Sequence, residues 1–404
     1  MDLLSDLNDE QRAAVERTEG PLLVLAGAGS GKTRVLVHRL AHILAEDRAA
    51  PEEIVAVTFT NKAAEEMRSR VAALLGASEA PSRVGTFHAL CLRVLRREAG
   101  RVGYGNDFQV FDADDALRLV KECLKGERVE EASFPPRDVL RWISSVKNRG
   151  LDPEEAASRR RGGDVLAAVH RAYQESLARM NAMDFDDLIL NVLRLLERDP
   201  GRRAHWAGSC RYLLVDEYQD TNPPQYRLVK ALSSVHGNVC AVGDEDQSIY
   251  QFRGADIGNI LSFQWDFPGA VVVKLTRNYR STGGILEAAN SLVRRNERRI
   301  GKELWTEEGA GERVRFTLLR TDRDEAAFVL ETIRGLRGRC RLEETAILYR
   351  TNAQSRLFEE ALVAAGVPYR IYGGLRFYDR REVRDLMSYL RLAANPADDI
   401  AFRR

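Results

Sequence analysis

Short runs of β-branched and aliphatic residues recur along the chain, at Leu22–Ala26, Ile54–Phe59, Tyr212–Val215, Val239–Val242, Val271–Leu275, Arg313–Leu319 and Ala346–Tyr349. Apolar runs bounded by polar or Gly-rich segments predict strands, and those without alternation predict strands buried on both faces. Between most of them the apolar positions fall at helical spacing, so strand and helix alternate. That order predicts α/β domains with largely parallel sheets. From residue 91 to residue 199 the rhythm stops: Leu117, Val120, Cys123 and Leu124, then Leu188, Val192 and Leu195, keep helical spacing around Pro135-Pro136. This stretch reads as a mostly helical insertion inside the first α/β domain. A second α/β unit is expected from residue 271 to 376, then an amphipathic helix over Glu382–Ala394. The chain closes on Asn395-Pro396 and Ile400-Ala401-Phe402-Arg403-Arg404 with no polar tail, which reads as a chain stopping inside a domain.

Composition narrows the class. With 404 residues, 30% charged and 44% apolar, the chain is an ordinary globular protein of two or three domains. Collagen-like, disulfide-scaffold and disordered classes are excluded. Sixty-one Lys and Arg against 60 Asp and Glu leave a net charge of +1, so any polyanion contact is local to a groove. Only eight of the 61 cations are lysine, a bias attributed to coding rather than to function. Five scattered cysteines without a CxxC pair predict reduced thiols and no metal centre. The acidic start MDLLSDLNDE and the lack of an apolar run of about 18 residues predict a cytoplasmic protein with no membrane partner.

The first apolar run leads into Ala26-Gly27-Ala28-Gly29-Ser30-Gly31-Lys32-Thr33, a strand, a Gly-rich loop and a helix start. Small residues let the N–H groups of Gly29, Ser30 and Gly31 close around phosphates, although Ala26 stands where strict loops have Gly. Lys32 would then reach the β- and γ-phosphates and the Thr33 hydroxyl would ligate Mg²⁺; Arg34 is counted with the nucleotide-binding set. A surface Gly-rich turn is the competing reading, and the strand before and helix after weigh against it. Tyr212–Val215 delivers Asp216 and Glu217 to a strand's carboxyl end, where open α/β sheets bind ligands. Asp216 would hold Mg²⁺, and Glu217 would orient or deprotonate the attacking water. No Asn-Lys-x-Asp element accompanies the loop, which favours adenine over guanine. A third strand end, Gly243-Asp244-Glu245-Asp246-Gln247, offers Gln247 as a sensor of the γ-phosphate or its water.

With these elements in place, the chain resembles the UvrD/Rep/PcrA-type superfamily 1 DNA helicases from Leu7-Asn8-x-x-Gln11 to its last residue. The match runs through Thr58–Ala64, Gly85-Thr86-Phe87-His88, Asp184–Leu188, Val215–Asp220, Gly243–Ala255 and Asn278-Tyr279-Arg280-Ser281. The resemblance implies a RecA-like ATP-binding domain over residues 1–90 and 200–270, a helical insertion over 91–199, part of a second RecA-like domain over 271–376, and the start of another insertion over 377–404. It implies ATP-driven translocation along single-stranded DNA, normally 3′ to 5′, with duplex unwinding, ATP and Mg²⁺ as cofactors, single/double-strand junctions as substrates, and repair or replication proteins as partners. Gln11 corresponds to the adenine-reading glutamine, Tyr279 to the aromatic stacked on the base, and Arg280 to an arginine finger. The family's later motifs are absent, which implies an incomplete second domain and poor turnover or unwinding by this chain alone.

Tyr250 and Phe252 are two apart, so in an extended segment they would share a face beside Arg253 and form a base-stacking platform. Core packing is the rival use of such a pair. The family commonly has Trp at the Phe252 position, so a weaker grip on the base is expected there. Phe59, Asn61 and His88 join the DNA track through the resemblance alone. Two other functions share these motifs: the helicase part of a recombination nuclease, and an ATPase that clamps DNA without moving.

Overall fold

Four strands with every residue buried form the centre of one sheet: β1 (Leu22–Ala26), β2 (Ile54–Thr58), β6 (Tyr212–Val215) and β7 (Val239–Gly243). With β3 (Val84–Thr86) and β8 (Val271–Leu275) they pair in the order β3-β2-β6-β7-β1-β8, all parallel. The computed structural model describes residues 3–76, 83–372, 381–395 and 398–402. Alternate strand residues face opposite ways. Leu23, Leu25, Val55, Val57, Leu213 and Val215 pack with helices Phe87–Glu98, Phe185–Arg198 and Pro223–Leu232. Leu22, Val24, Ile54, Ala56, Leu214 and Cys240 pack with helices Asp9–Glu16, Lys32–Ala45 and Asn61–Leu75 on the other face. Each fully buried Leu or Val contributes about 1.5–3 kcal/mol, so the two faces together hold the sheet rigid.

This three-layer arrangement, helices on both faces of the sheet, positions the site. Because all six strands run the same way, the segments after β1, β2, β3, β6, β7 and β8 leave from one edge. The register places Leu25 beside Gly243, Ala26 beside Leu275 and Val57 beside Val215, so these exits are level with one another. Buried Arg39 donates to the carbonyls of Ala14 (2.8 Å), Thr18 (3.0 Å) and Arg17. It thereby ties the helix Asp9–Glu16, which carries Gln11, to the helix that follows the Gly-rich loop.

The insertion has its own core, built from helices Ala113–Gly126, Pro136–Arg149 and Gly163–Arg179 around Phe111, Leu119, Ile143, Val169 and Tyr173. A short parallel pair, β4 (Gln109–Phe111) with β5 (Ala182–Asp184), closes its base. The helices Phe87–Glu98 and Phe185–Arg198, read from sequence largely as insertion, instead cover the main sheet through Cys91, Val94, Leu188 and Val192. Helical periodicity reveals the buried face of a helix but not which core receives it.

Three further expectations are changed. β8, assigned by sequence to a second α/β unit, is the half-buried edge strand of the first sheet, paired to β1 throughout. A β-branched run reads the same whichever sheet it joins. Residues 313–388 form a unit of their own, and the rest of the chain forms the other. Within 313–388, Arg313–Leu319 and Ala346–Tyr349 are not strands among the described residues, because neither run has a ladder partner there. Phe316 (91%) and Leu348 (93%) are open to solvent. Helices Asp322–Gly335 and Ser355–Ala364 pack there around Ile333, Leu362 and Val367. The helix expected near the chain's end spans Arg381–Ala394, and beyond it Ile400 is buried in the insertion's core while Phe402 is exposed. The expected boundary at 376/377 and the terminal Arg403-Arg404 lie outside the described residues. All five cysteines are free, and no described helix is long and apolar enough to cross a membrane.

Candidate nucleotide and nucleic-acid site

The Gly-rich loop leaves β1 and turns into the helix Lys32–Ala45 through Gly29 (φ 71°) and Gly31 (φ 95°), left-handed conformations that glycine adopts without strain. Ser30 is buried, and its hydroxyl donates to the Gly27 carbonyl at 2.8 Å, fixing the loop's curl. Gln11 is fully buried. Its side-chain amide donates to the Ser30 carbonyl at 3.0 Å, while its own backbone N–H is capped by the Asn8 side chain at 2.8 Å. Gln11 therefore touches the loop directly. Thr33 lies half-buried in the first helical turn, and Arg34 is exposed, donating to the Asp6 carbonyl at 3.3 Å.

Asp216 and Glu217 leave β6 beside this loop. Lys32 Nζ lies 3.2 Å from Glu217 Oε2, so two sequence-predicted residues 185 positions apart meet as an ion pair. Asp216 is buried, and its carboxyl is pushed up to about 6 by burial and by the neighbouring Glu217, with Lys32 opposing. Glu217 has φ 47°, a left-handed conformation uncommon outside glycine, the kind of local strain that collects at functional sites. Hard oxygen donors, the Thr33 hydroxyl and the buried Asp216 carboxylate, suit Mg²⁺. A buried acid with a raised pKa gains most from such a cation.

Gln219, to which sequence reasoning assigned no role, is buried at the centre of this group. Its amide donates to Glu217 Oε2 (2.9 Å) and Asp220 Oδ2 (3.3 Å), and its oxygen accepts from the Asp244 backbone N–H (2.9 Å). It thus joins the exits of β6 and β7. Gln247, the sequence-predicted phosphate sensor, donates its side-chain amide to the Asp244 carboxylate.

The segment after β8 covers the loop. Asn278 is buried and donates to the Ala28 carbonyl at 2.6 Å, while its own oxygen accepts from the backbone N–H groups of Arg280 (2.8 Å) and Ser281 (2.7 Å). The Tyr279 N–H donates to the Gly29 carbonyl at 2.9 Å, and its hydroxyl accepts from Asn8 at 2.8 Å. The Arg277 guanidinium lies over the Tyr279 ring at 4.9 Å. Arg280 is exposed, and its Cβ sits so close to Gly29 that a side chain there would collide with it. Gln11, the loop, Tyr279 and Arg280 are thereby gathered at one edge. Asn278, whose role the sequence did not reveal, is the clamp that holds the last two there.

The predicted aromatics fall in two groups. Phe59 meets Phe87 edge-on at 5.8 Å, and His88 meets the half-exposed Phe185 edge-on at 5.7 Å, at the ends of β2 and β3. Burial lowers the His88 pKa, keeping its ring neutral. Asn61 is exposed at the start of the helix Asn61–Leu75. Tyr250 and Phe252 lie 6.1 Å apart with Arg253 over both rings at 5.3 and 5.6 Å. The segment is not extended as expected: Gln251–Arg253 is a 3₁₀ turn, which tilts the rings 44° to each other. The core-packing alternative fails, since Phe252 is 71% exposed.

Comparison with known families agrees with this geometry. Residues 7–268 match the UvrD/REP helicase N-terminal domain and residues 273–404 the UvrD-like helicase C-terminal domain. Over its whole length the chain is 48% identical to the ATP-dependent DNA helicase PcrA of Bacillus subtilis, of which it covers 55%. It is 46% identical to the protein of the same name from Staphylococcus epidermidis and 47% to that of Staphylococcus aureus, covering 56% of each. The chain therefore spans about half the length of the curated relatives it matches. On the strength of both family matches and of the loop, acid pair and Asn278–Arg280 clamp, the chain belongs to the UvrD/REP helicase family.

Proposed function

We propose that this chain supplies the ATPase site and strand-gripping surface of a cytoplasmic motor. The motor moves 3′ to 5′ on single-stranded DNA and unwinds duplex at single/double-strand junctions during repair or replication. The observation that carries the reading is the meeting of Lys32, Glu217 and the Asn278–Arg280 segment at one sheet edge. The loop N–H groups and Lys32 bind the phosphates of ATP, and Gln11 and Tyr279 frame its base. Thr33 and Asp216 would hold Mg²⁺, which when bound supplies positive charge to the phosphate oxygens. Glu217, released from Lys32 when phosphate takes the lysine, orients the attacking water and takes its proton. Arg280 offers charge to the γ-phosphate. Exposed Tyr250 and Phe252, with Arg253, stack bases without sequence preference. The likeness to three helicases named PcrA supports both the polynucleotide and the energy source.

The test is ATP turnover by the full-length gene product with and without oligo(dT). Turnover should rise on adding DNA, and Lys32→Ala should lower it by at least about a hundredfold while single-strand binding survives. A wild-type rate indifferent to DNA would sink the motor reading.

A further inference from the structure

Three consecutive acids follow β7, and all three are turned inward. Asp244 and Glu245 are buried, and one carboxylate oxygen from each of Asp244, Glu245 and Asp246 falls within 4.8 Å of the others. Such a cluster repels itself unless a cation is built into it. Here the cation is Lys302, whose side chain is only 2% exposed. Its Nζ lies 2.5 Å from Asp244, 2.7 Å from Glu245 and 3.3 Å from Asp246. Arg299 adds a second contact to Asp246 at 2.8 Å, Asn296 a third at 3.2 Å, and the Gly301 N–H donates to Glu245 at 3.3 Å. A compact ammonium reaches three carboxylates where a planar guanidinium would not, and this is one of only eight lysines in the chain. Burial works to lower the Lys302 pKa, but the carboxylates of Asp244 and Glu245 overcome it and hold the amine charged.

Lys302 and Leu304 are two apart in the segment leading to Trp305. Leu304 packs so closely on the phosphate loop that a Cβ at Gly27 would collide with it. Its carbonyl accepts from Asn290 at 2.9 Å, and the Asn278 N–H donates to the Trp305 carbonyl at 2.8 Å. One short stretch therefore touches the nucleotide loop through Leu304, the Asn278–Arg280 clamp through Trp305, and the turn of Asp244–Gln247 through Lys302. That turn in turn leads into Tyr250 and Phe252.

We propose that Lys302 is a positioning residue that couples the phosphate loop to the Asp244–Gln247 turn and the aromatic platform beyond it. This rests on the motor reading above. When phosphates settle against Gly27–Lys32, Leu304 is displaced, and Lys302 carries that displacement into the acidic turn as a rigid, fully paired connector. Loss of its charge frees the turn from the clamp while leaving Gln11, Lys32 and Tyr279, none of which Lys302 touches, in place.

The experiment compares wild type, Lys302→Met, Lys302→Arg and Asp246→Asn in the full-length gene product, measuring ATP turnover with and without saturating oligo(dT), KM for ATP, and thermal unfolding. In Lys302→Met the DNA stimulation should fall about tenfold or more, with basal turnover and KM within about twofold of wild type. Lys302→Arg should recover part of the stimulation. Asp246→Asn, which removes one of the three carboxylates, should lower it about threefold. If Lys302→Met does not fold, Asp246→Asn decides. Unchanged stimulation in Asp246→Asn, or equal loss of basal and stimulated turnover in the folded variants, overturns the coupling. A wild type that DNA does not stimulate removes the motor reading itself, and a stimulated wild type with a fully coupled Lys302→Met removes only this proposal.

Discussion

Gln219 uses every hydrogen-bonding atom of its amide that the site can reach: two carboxylates on the donor side, the Asp244 N–H on the acceptor side. Among the described residues, Glu217, half-exposed and in a left-handed conformation, has Lys32 and Gln219 to fix its side chain. When phosphate draws Lys32 away, Gln219 remains. With Glu217 in the water-activating role proposed above, Gln219→Ala should lower kcat by about tenfold to a hundredfold with KM for ATP little changed, since the lost contact orients Glu217 and not the substrate. Steady-state kinetics of the DNA-stimulated reaction measure both, and a rise in KM at constant kcat would contradict the assignment. Asp216 makes a different prediction. Its folded carboxyl titrates near 6 because burial and Glu217 disfavour the charge, above the ordinary carboxylate value near 3.9. A carboxyl raised in this way binds its proton more tightly when folded. Its contribution to stability is therefore most favourable below the unfolded value and is lost as pH rises toward 7. A cation reverses that cost. Added Mg²⁺ with nucleotide should raise Tm more at pH 7.5 than at pH 5.5, and Asp216→Asn should remove the difference, both measured by thermal unfolding.

At the scale of elements, the Gly-rich loop shows how far local sequence reaches. Its glycines marked a tight turn, and the structure requires glycine at position 31 twice over, through φ 95° and through a Cβ that would fall 2.5 Å from Gln11 Nε2. Gly31→Ala should cost about 1–3 kcal/mol of stability and displace Gln11, weakening ATP binding by at least about tenfold; calorimetry and nucleotide titration test the two parts separately. The loop, the Asp216-Glu217 pair and the apolar runs that became β1, β2, β6 and β7 were legible because each is a local pattern. The clamp of Asn278 on Ala28 crosses 250 residues, and Lys302 meets Asp244 across 58. No period or spacing encodes such contacts, so Asn278, Gln219 and Lys302 had no assigned function until the sheet brought them together. The same limit explains β8, whose run of valines fitted either sheet. It also explains Tyr250 and Phe252, grouped correctly but by a 3₁₀ turn that spacing alone did not indicate.

Across the whole sheet-bearing unit, the last turn of one helix joins three parts. Lys147 and Asn148 lie near the end of Pro136–Arg149, in the insertion. Buried Lys147 pairs with Asp184 at 2.6 Å and Asp187 at 2.8 Å, the carboxylates that open the sheet-covering helix Phe185–Arg198. Asn148 adds links of its own. Its amide donates to Asp186 at 2.9 Å, and its oxygen accepts from Asn222 at 2.7 Å. A Cβ at Gly254 would lie 3.1 Å from the Asn148 Cβ. Gly254 directly follows Arg253, so the insertion props the loop that carries the aromatic platform. The ion pairs around Lys147 keep the insertion in place when Asn148 is altered, because a doubly paired buried lysine does not depend on its neighbour's amide. Asn148→Gly, which removes the Cβ that abuts Gly254 together with the amide, should cost about 1–3 kcal/mol of stability because Asp186 and Asn222 lose a partner, and should lower oligo(dT) affinity about threefold to tenfold, a loss of the order of one stacked base. ATP affinity in the absence of DNA should not change, because the phosphate loop lies at the exit of β1 and shares no residue with this prop. Fluorescence anisotropy with labelled oligo(dT), beside nucleotide titration, separates the two. Equal weakening of both ligands would mean that Asn148 supports the sheet as a whole and not the platform.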